Sequence, residues 1–240
     1  MEELLYVGPK TKQKLNKYGI NTIGELAKTP ESFLHSLLGK VGNVLYSFAN
    51  GLDESPVKYS DERSCIKSIG NSTTTPRDLV NDEDVKIILF VLSESVCARL
   101  REHGFRCRTV QISVRDNELY WFERQAKLLK PSNISNDIAA AAMRLFQQHY
   151  HWDKPIRSIG VRATDLAPTS NPLQISLFEN EEQRQKYENL DRAIDSIRAR
   201  FGHFCIQRAS VLADKPLCGI NPKGDHIIHP VGYFKDGMMK

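Results

Sequence analysis

The amino-acid sequence predicts an α+β chain on three observations. Short helical segments fill the first 57 residues, strand alternation and long helical periods take turns over the next hundred, and a Pro-rich connector near residue 170 leads into a charged helix. With 240 residues, 40% hydrophobic and 26% charged, the composition is that of a globular chain and excludes collagen-like or wholly disordered ones. A chain of this size buries roughly 70% of its unfolded surface, so its core needs no disulfide staples.

The first unit, residues 1–57, reads as all-helical. Gly8-Pro9 opens a helix over Thr11–Tyr18 with Leu15 and Tyr18 on one face, and Gly19-Ile20 stops it. Thr22 stands three residues before Glu25, the capping-box spacing, ahead of Ile23 and Leu26. Pro30-Glu31 opens a third helix carrying Phe33, Leu34, Leu37 and Leu38, and a fourth runs from Gly42 to Phe48 and closes at Asn50-Gly51. Asp53-Glu54-Ser55-Pro56 is the expected exit and linker.

Residues 58–168 change period. Ser64 to Thr75 is a Ser/Thr/Ile-rich strand ending before Pro76. Acids Asp82, Glu83 and Asp84 head a helix in which Val85, Ile88, Leu89, Leu92, Val96 and Leu100 recur until Gly104. From Arg106 to Asp116, Val110, Ile112 and Val114 alternate with Thr109, Gln111, Ser113 and Arg115, a half-buried strand with a polar face. A turn at Asp116-Asn117 leads into a partner strand, Leu119–Leu129. Ser135-Asn136-Asp137 caps a helix to Tyr150 with Ile138, Ala142, Leu145 and Phe146 inward, and Arg157–Leu166 is the last strand. The order β-α-β-β-α-β predicts a ferredoxin-like domain, a four-stranded sheet with both helices on one face and the other face open.

Residues 169–240 read as a partly helical tail. Pro168 to Pro172 is a flexible connector, Glu179–Arg200 a charged helix with Leu190, Ile194, Ile197 and Phe201 along one stripe, and 205–240 has no clear period.

Charge and cysteines bound the partners. The net charge is +4, and the segment 58–168 carries 17 basic against 14 acidic residues, so most of the excess lies there. That permits a polyanionic partner without requiring one. No stretch reaches the roughly 18 apolar residues of a membrane span, and Glu2-Glu3 stands where a secretory signal carries basic residues. Five cysteines, odd in number and without a Cys-x-x-Cys pair, suit reduced thiols; Cys97 and Cys205 sit among apolar neighbours as expected core thiols. A cytoplasmic chain without a membrane partner is expected. Cys218, His226 and His229 lack a zinc-finger spacing, so no metal site is assigned.

Two segments carry candidate chemistry. In the first, Val7-Gly8-Pro9-Lys10-Thr11 precedes one helix and Gly19-Ile20-Asn21-Thr22-Ile23-Gly24-Glu25-Leu26 opens the next, so a tight Gly turn can aim backbone N–H groups at a phosphate while Lys10, Lys12 and Lys14 add charge. This run resembles the helix-hairpin-helix in the thumb of Y-family translesion DNA polymerases (UmuC/DinB-like), matching at Gly8, Thr11, Leu15, Gly19, Ile20, Thr22, Ile23, Gly24 and Leu26 and departing at the first glycine, where Tyr6 stands. The resemblance continues in register. Gly39–Val57 is similar to the end of that thumb, Lys67-Ser68-Ile69-Gly70 with Thr73 to the first strand of the little-finger domain, and Arg157-Ser158-Ile159-Gly160-Val161-Arg162 to its last strand. Leu190-Asp191 through Gly202 is similar to the tail helix of bacterial members.

The resemblance implies a thumb and a little finger that grip primer-template DNA by its backbone without reading sequence. Gly8, Lys10, Thr11 and Lys12 in the thumb, and Lys67, Ser68, Thr73, Arg115, Arg124, Lys127 and Arg162 in the little finger, are the expected phosphate contacts. The second segment, Gln174-Ile175-Ser176-Leu177-Phe178, resembles the pentapeptide by which bacterial polymerases hold the sliding clamp. Gln174, Ile175, Leu177 and Phe178 are its expected anchors, although a hydrophobic staple before the next helix would read the same way. In the family, catalysis uses two Mg2+ ions on palm carboxylates. No such carboxylate pair stands in a strand here, so no catalytic residue and no cofactor are expected in this chain, with Mg2+ expected in a parent polymerase. The alternative is a free-standing, non-catalytic DNA-binding and clamp-binding adaptor; palm carboxylates encoded upstream would favour the polymerase, a stop codon the adaptor.

Overall fold

In the computed structural model, residues 1–57, 59, 66–172 and 181–224 are described. Gln174, Ile175, Leu177 and Phe178, together with Cys65, His226 and His229, lie outside the described residues. The chain divides into two compact units, Met1–Ser64 and Cys65–Lys240.

The first unit contains helices α1 (Pro9–Asn16), α2 (Ile23–Lys28), α3 (Glu31–Leu38) and α4 (Lys40–Ala49). The capping box before α2 is complete: the Glu25 backbone N–H donates to Thr22 Oγ1 at 3.1 Å, and Glu25 Oε2 accepts from the Thr22 N–H at 3.0 Å. Val7, Leu15, Ile20, Leu26, Leu34 and Leu45 form the core. Tyr18 falls past the end of α1 and lies exposed, edge-on to Phe33, so it does not share the buried face of Leu15. Gly42 sits where α4 crosses α3, and a Cβ there would strike the Leu34 carbonyl. Only glycine permits that approach.

The second unit begins with β1 (Ser68–Leu79), α5 (Asp82–Glu102), β2 (Phe105–Asp116), β3 (Trp121–Ser132), α6 (Ser135–His149) and β4 (Ile156–Pro168). The element order is β-α-β-β-α-β, as expected. Strand neighbours, which element order alone does not fix, run β1-β4-β2-β3, and every neighbouring pair is antiparallel. β1 runs on through Pro76 because it is an edge strand whose register shifts between Thr74 and Leu79, where a missing N–H costs no ladder bond. Both helices pack on one face. Val85, Ile88, Leu89, Leu92, Val96 and Leu100 of α5 and Ile138, Ala142, Leu145 and Phe146 of α6 close over Val110, Ile112, Val114, Ile159, Val161 and Ala163. Cys97 and Cys107 lie in this core, and burial pushes the Cys107 thiol up to about 12 and the Cys97 thiol well above its ordinary value. Both are inert as nucleophiles.

The described tail residues pack onto this same unit. Helix α7 (Glu181–Phe201) buries its charges more fully than the Leu190/Ile194/Ile197/Phe201 stripe, of which Leu190, Ile197 and Phe201 are exposed and Ile194 is half-buried. Glu188 and Asp191 are its buried residues. Arg101 of α5 holds Asp191 at 3.1 Å and Asp195 at 2.6 Å, Asp191 also accepts the Ser135 backbone N–H at 2.8 Å, and Arg198 and Arg208 converge on Glu94 at 2.8 and 2.6 Å. The signal in the sequence was the helical recurrence of Glu188, Asp191, Asp195 and Arg198, which reads equally as a solvated face.

Residues 203–224 form a strap of two short 3-10 turns and the single-turn helix α8 (Lys215–Cys218), pieces too short to display a period. Val211, Leu217 and Cys218 join the main core, and Arg77 clamps Asp84 and Asp214 together at 2.7 Å each. Hydrogen bonds from that guanidinium hold both carboxyls below their ordinary range. Cys218 is thereby a core thiol, whereas Cys205, expected in the core, is exposed in the turn after α7. Among the described residues no helix is long and apolar enough to cross a membrane.

Candidate nucleic-acid interface

The open face of the sheet follows from register. Directly opposed residues of antiparallel strands share a face, and successive residues alternate. Because Ile159, Val161 and Ala163 point into the helices, the rows between them point outward: Ser68–Thr164–Thr109–Lys127, Gly70–Arg162–Gln111–Gln125, Ser72–Gly160–Ser113–Glu123 and Thr74–Ser158–Arg115–Trp121. Ser68, Arg115, Lys127 and Arg162 therefore lie on one surface, with Lys67 exposed one residue before β1. The polar face expected for β2 is the face observed.

Thr73 and Arg124 do not join them. Thr73 pairs with Ile159 and Arg124 with Ile112, so both belong to the helix-facing rows. Thr73 Oγ1 donates to the Thr74 carbonyl, and the Arg124 guanidinium lies 5.4 Å from the centre of the Phe122 ring. By strand parity, then, Thr73 and Arg124 stand apart from the outward rows that carry the other expected contacts, although Thr73 borders the groove around Arg115 and Trp121 at the edge of the sheet.

Two glycines shape the surface, a role the sequence reading did not assign. Ser68-Ile69-Gly70 and Ser158-Ile159-Gly160 are the same tripeptide on adjacent strands. A Cβ on Gly160 would lie 2.5 Å from Ser113 Oγ and 2.8 Å from Ser72 Cβ, and one on Gly70 would lie 2.9 Å from Arg162 Cβ. The missing side chains leave a shallow depression of about 180 Å³ floored by backbone and bordered by Ser72, Ser113 and Arg162. Glu123 also lines it, its carboxylate accepting from Gln111 Nε2 at 2.7 Å. Such a floor lets a phosphodiester backbone approach the sheet closely, with hydroxyl and guanidinium donors around it.

In the helical unit the two helix starts differ. Thr22 and Glu25 occupy the N–H groups at the start of α2, whereas Gly8 caps α1 in an extended conformation with no side chain on its first N–H groups. Lys10 is exposed nearby. Lys12 pairs with Glu2 at 3.0 Å, an exposed contact worth roughly 0–1 kcal/mol that a phosphate can displace. Lys14 donates to the Leu37 carbonyl at 2.6 Å, so it ties α1 to α3. Tyr6, standing where the motif has glycine, adopts φ +69°, the left-handed conformation glycine favours, with its ring stacked 6.0 Å from Phe48. The turn keeps its glycine-type geometry without the glycine.

Acidic residues form no cation site among the described residues. Asp84 is taken by Arg77, and Asp82 accepts from Trp152 Nε1 at 2.6 Å and from Gln147 Nε2 at 2.8 Å. These acids do not fit Mg2+, and no catalytic step is derived from them.

Comparison with known proteins agrees with this geometry. Residues 3–53 match the DNA polymerase-iota thumb domain and residues 66–177 the impB/mucB/samB family C-terminal domain. The chain is 50% identical over 217 residues to a DNA polymerase IV of Acetivibrio thermocellus, covering 90% of this chain and 54% of that protein. It is 37% identical over 209 residues to a DNA polymerase IV of Moorella thermoacetica, covering 87% and 51%, and 39% identical over 211 residues to DNA polymerase IV 2 of Bacillus subtilis, covering 86% and 50%. The chain thus spans about half the length of the curated relatives it matches.

Proposed function

This chain belongs to the Y-family DNA polymerases as a C-terminal part of them, and from that premise we propose that it grips primer-template DNA by the sugar-phosphate backbone and tethers the whole polymerase to a bacterial sliding clamp. The observation that carries the DNA reading is the open sheet face, which no described helix covers: Arg115, Lys127 and Arg162 share it, and Arg162 borders its glycine-floored depression together with the Ser72 and Ser113 hydroxyls. Lys67 and Ser68 extend the face, and Gly8, Lys10, Thr11 and Lys12 supply a second grip. Hydroxyls, guanidinium groups and backbone N–H groups suit phosphates and do not discriminate bases, so the grip is sequence-independent and fits damage tolerance, where the template base is not predictable.

Clamp tethering rests on the Gln174-Ile175-Ser176-Leu177-Phe178 segment, in which Leu177 and Phe178 would fill a hydrophobic cleft while Ile175 packs beside them and the Gln174 amide hydrogen-bonds. Nucleotidyl transfer and its Mg2+ belong, on this reading, to residues of the whole protein outside this chain, which works in the cytoplasm. The test is a titration of labelled duplexes of unrelated sequence at several salt concentrations. Equal affinities that fall steeply with salt are expected, and a salt-insensitive or sequence-dependent affinity would overturn the DNA reading. In the same preparation, replacing Leu177 and Phe178 with alanine should abolish retention on immobilised clamp and leave duplex affinity unchanged; retention by that variant would sink the tether.

A further inference from the structure

We propose that the β2–β3 tip and the groove beside it form a seat for unpaired DNA bases, so that the chain holds a junction of duplex and single strand and not duplex alone. The proposal rests on the DNA-binding reading above and deepens it. Three consecutive large apolar side chains, Leu119, Tyr120 and Trp121, are 68%, 70% and 50% exposed. Nothing in the sheet's core accounts for them, since the core lies on the other face. Of the three, Trp121 stands in the outward row beside Arg115 and lines the groove, and an exposed ring next to a cation is a ligand signature.

The tip is built to hold them in place. Asp116 Oδ1 accepts the backbone N–H groups of Glu118 at 2.9 Å and Tyr120 at 2.8 Å, the Asp116 N–H donates to the Tyr120 carbonyl at 3.0 Å, and the Asn117 N–H donates to the Pro155 carbonyl at 3.0 Å. Leu119 is held at φ +71° inside this turn. The rings are therefore presented by a bonded turn on the end of a paired strand.

Register then supplies the rest of the seat. Trp121 lies directly across from Arg115, and the row continues to Ser158 and Thr74. These residues line an open groove of about 640 Å³ that the strap closes at one side with Ile220. The described lining has a guanidinium and several hydroxyls and no carboxylate, which favours a phosphodiester strand over a protein partner. An indole needs an accessible base face to stack on, and bases inside a duplex are already stacked on one another. Only an unpaired strand offers the bases to Trp121 and its phosphates to Arg115, Ser158 and Thr74.

The test uses the full chain with a single-stranded oligothymidylate and a duplex of equal length, read by anisotropy of the labelled DNA and by intrinsic tryptophan fluorescence. The single strand should quench the wild-type signal. Trp121→Ala should weaken single-strand binding by about tenfold or more while duplex affinity changes by less than about twofold, and Trp121→Phe, which keeps a stacking ring, should restore most of the loss. Equal losses on both DNAs, an unchanged single-strand affinity in Trp121→Ala, or a wild-type chain that binds duplex but not the single strand would each overturn the seat. A wild-type chain that binds neither DNA would instead bring down the DNA-binding reading on which the seat rests. Circular dichroism of both variants separates loss of the ring from loss of the fold.

Discussion

Parity along a strand decides which basic residues can reach a ligand lying on this sheet. Arg124 and Lys127 are three residues apart on β3, which places them on opposite faces: Lys127 shares a row with Thr109 and Thr164, Arg124 with the buried Ile112 and Val161. Replacing Arg162 with glutamine should therefore weaken duplex binding and lower the slope of log affinity against log salt by about 0.9, while Arg124→Gln should leave both unchanged. Anisotropy titrations at four salt concentrations read the difference, and equal effects of the two substitutions would place the DNA elsewhere. The parity of β2 was legible, because Val110, Ile112 and Val114 alternate cleanly with polar residues. That of β3 was legible in part: Glu123, Gln125 and Lys127 are all polar, whereas Phe122 and Ala126 flank Arg124 on the other side, and the charge of Arg124 on this edge strand masks the alternation. The position of Thr73 was hidden for a similar reason, since Ser72, Thr73 and Thr74 are chemically alike on both faces of the other edge.

Among the elements, α7 departs most from what its residues suggest. An apolar stripe of Leu190, Ile194, Ile197 and Phe201 ordinarily marks the buried side of a helix, yet here Glu188 and Asp191 are the buried residues, Ile194 is half-buried and the other three members of the stripe are exposed. Arg101 is almost fully buried between Asp191 and Asp195, and the desolvation of such a group makes the pairing an all-or-none commitment. Asp191→Ala removes one partner from Arg101 and the acceptor of the Ser135 N–H, and should destabilise the α7 contact by about 3 kcal/mol. Hydrogen exchange should then lose protection over 181–201 and keep it in α5, α6 and the sheet; full protection of α7 in the variant would mean the helix is held by something other than these charges. The helices α1 to α6 were legible from their apolar residues and stop signals; side-chain caps form only at α2 and α5, and Ser135, expected in the cap of α6, is instead its first residue, behind Ile134, which makes no side-chain cap. The strap was not, because its contribution comes from a few isolated apolar residues, Val211, Leu217 and Cys218, brought to the core by turns and by the distant Arg77–Asp214 pair. Contacts of that range leave no local pattern.

At the scale of the whole molecule the charge of +4 is modest, and its effect depends on whether two units act together. The sheet face offers Arg115, Lys127 and Arg162, the helical unit Lys10 and Lys12. On the proposed reading each set alone would hold a duplex weakly, and two linked sites engaging one duplex would gain from a high effective concentration. Counterion release makes the partition measurable, because each phosphate neutralised contributes about 0.9 to the slope of log affinity against log salt. Replacing Arg115, Lys127 and Arg162 with glutamine should lower that slope by about 2.7, replacing Lys10 and Lys12 by about 1.8, and the combined variant should lose both amounts, with affinity falling more than either change alone predicts. The measurement is a salt series on one duplex long enough to span both units, repeated on a shorter one. If the helical unit holds the same duplex as the sheet, its contribution to the slope is present on the long duplex and disappears on the short one. An unchanged slope in the Lys10/Lys12 variant on the long duplex would confine the grip to the sheet and leave the helical unit to another task.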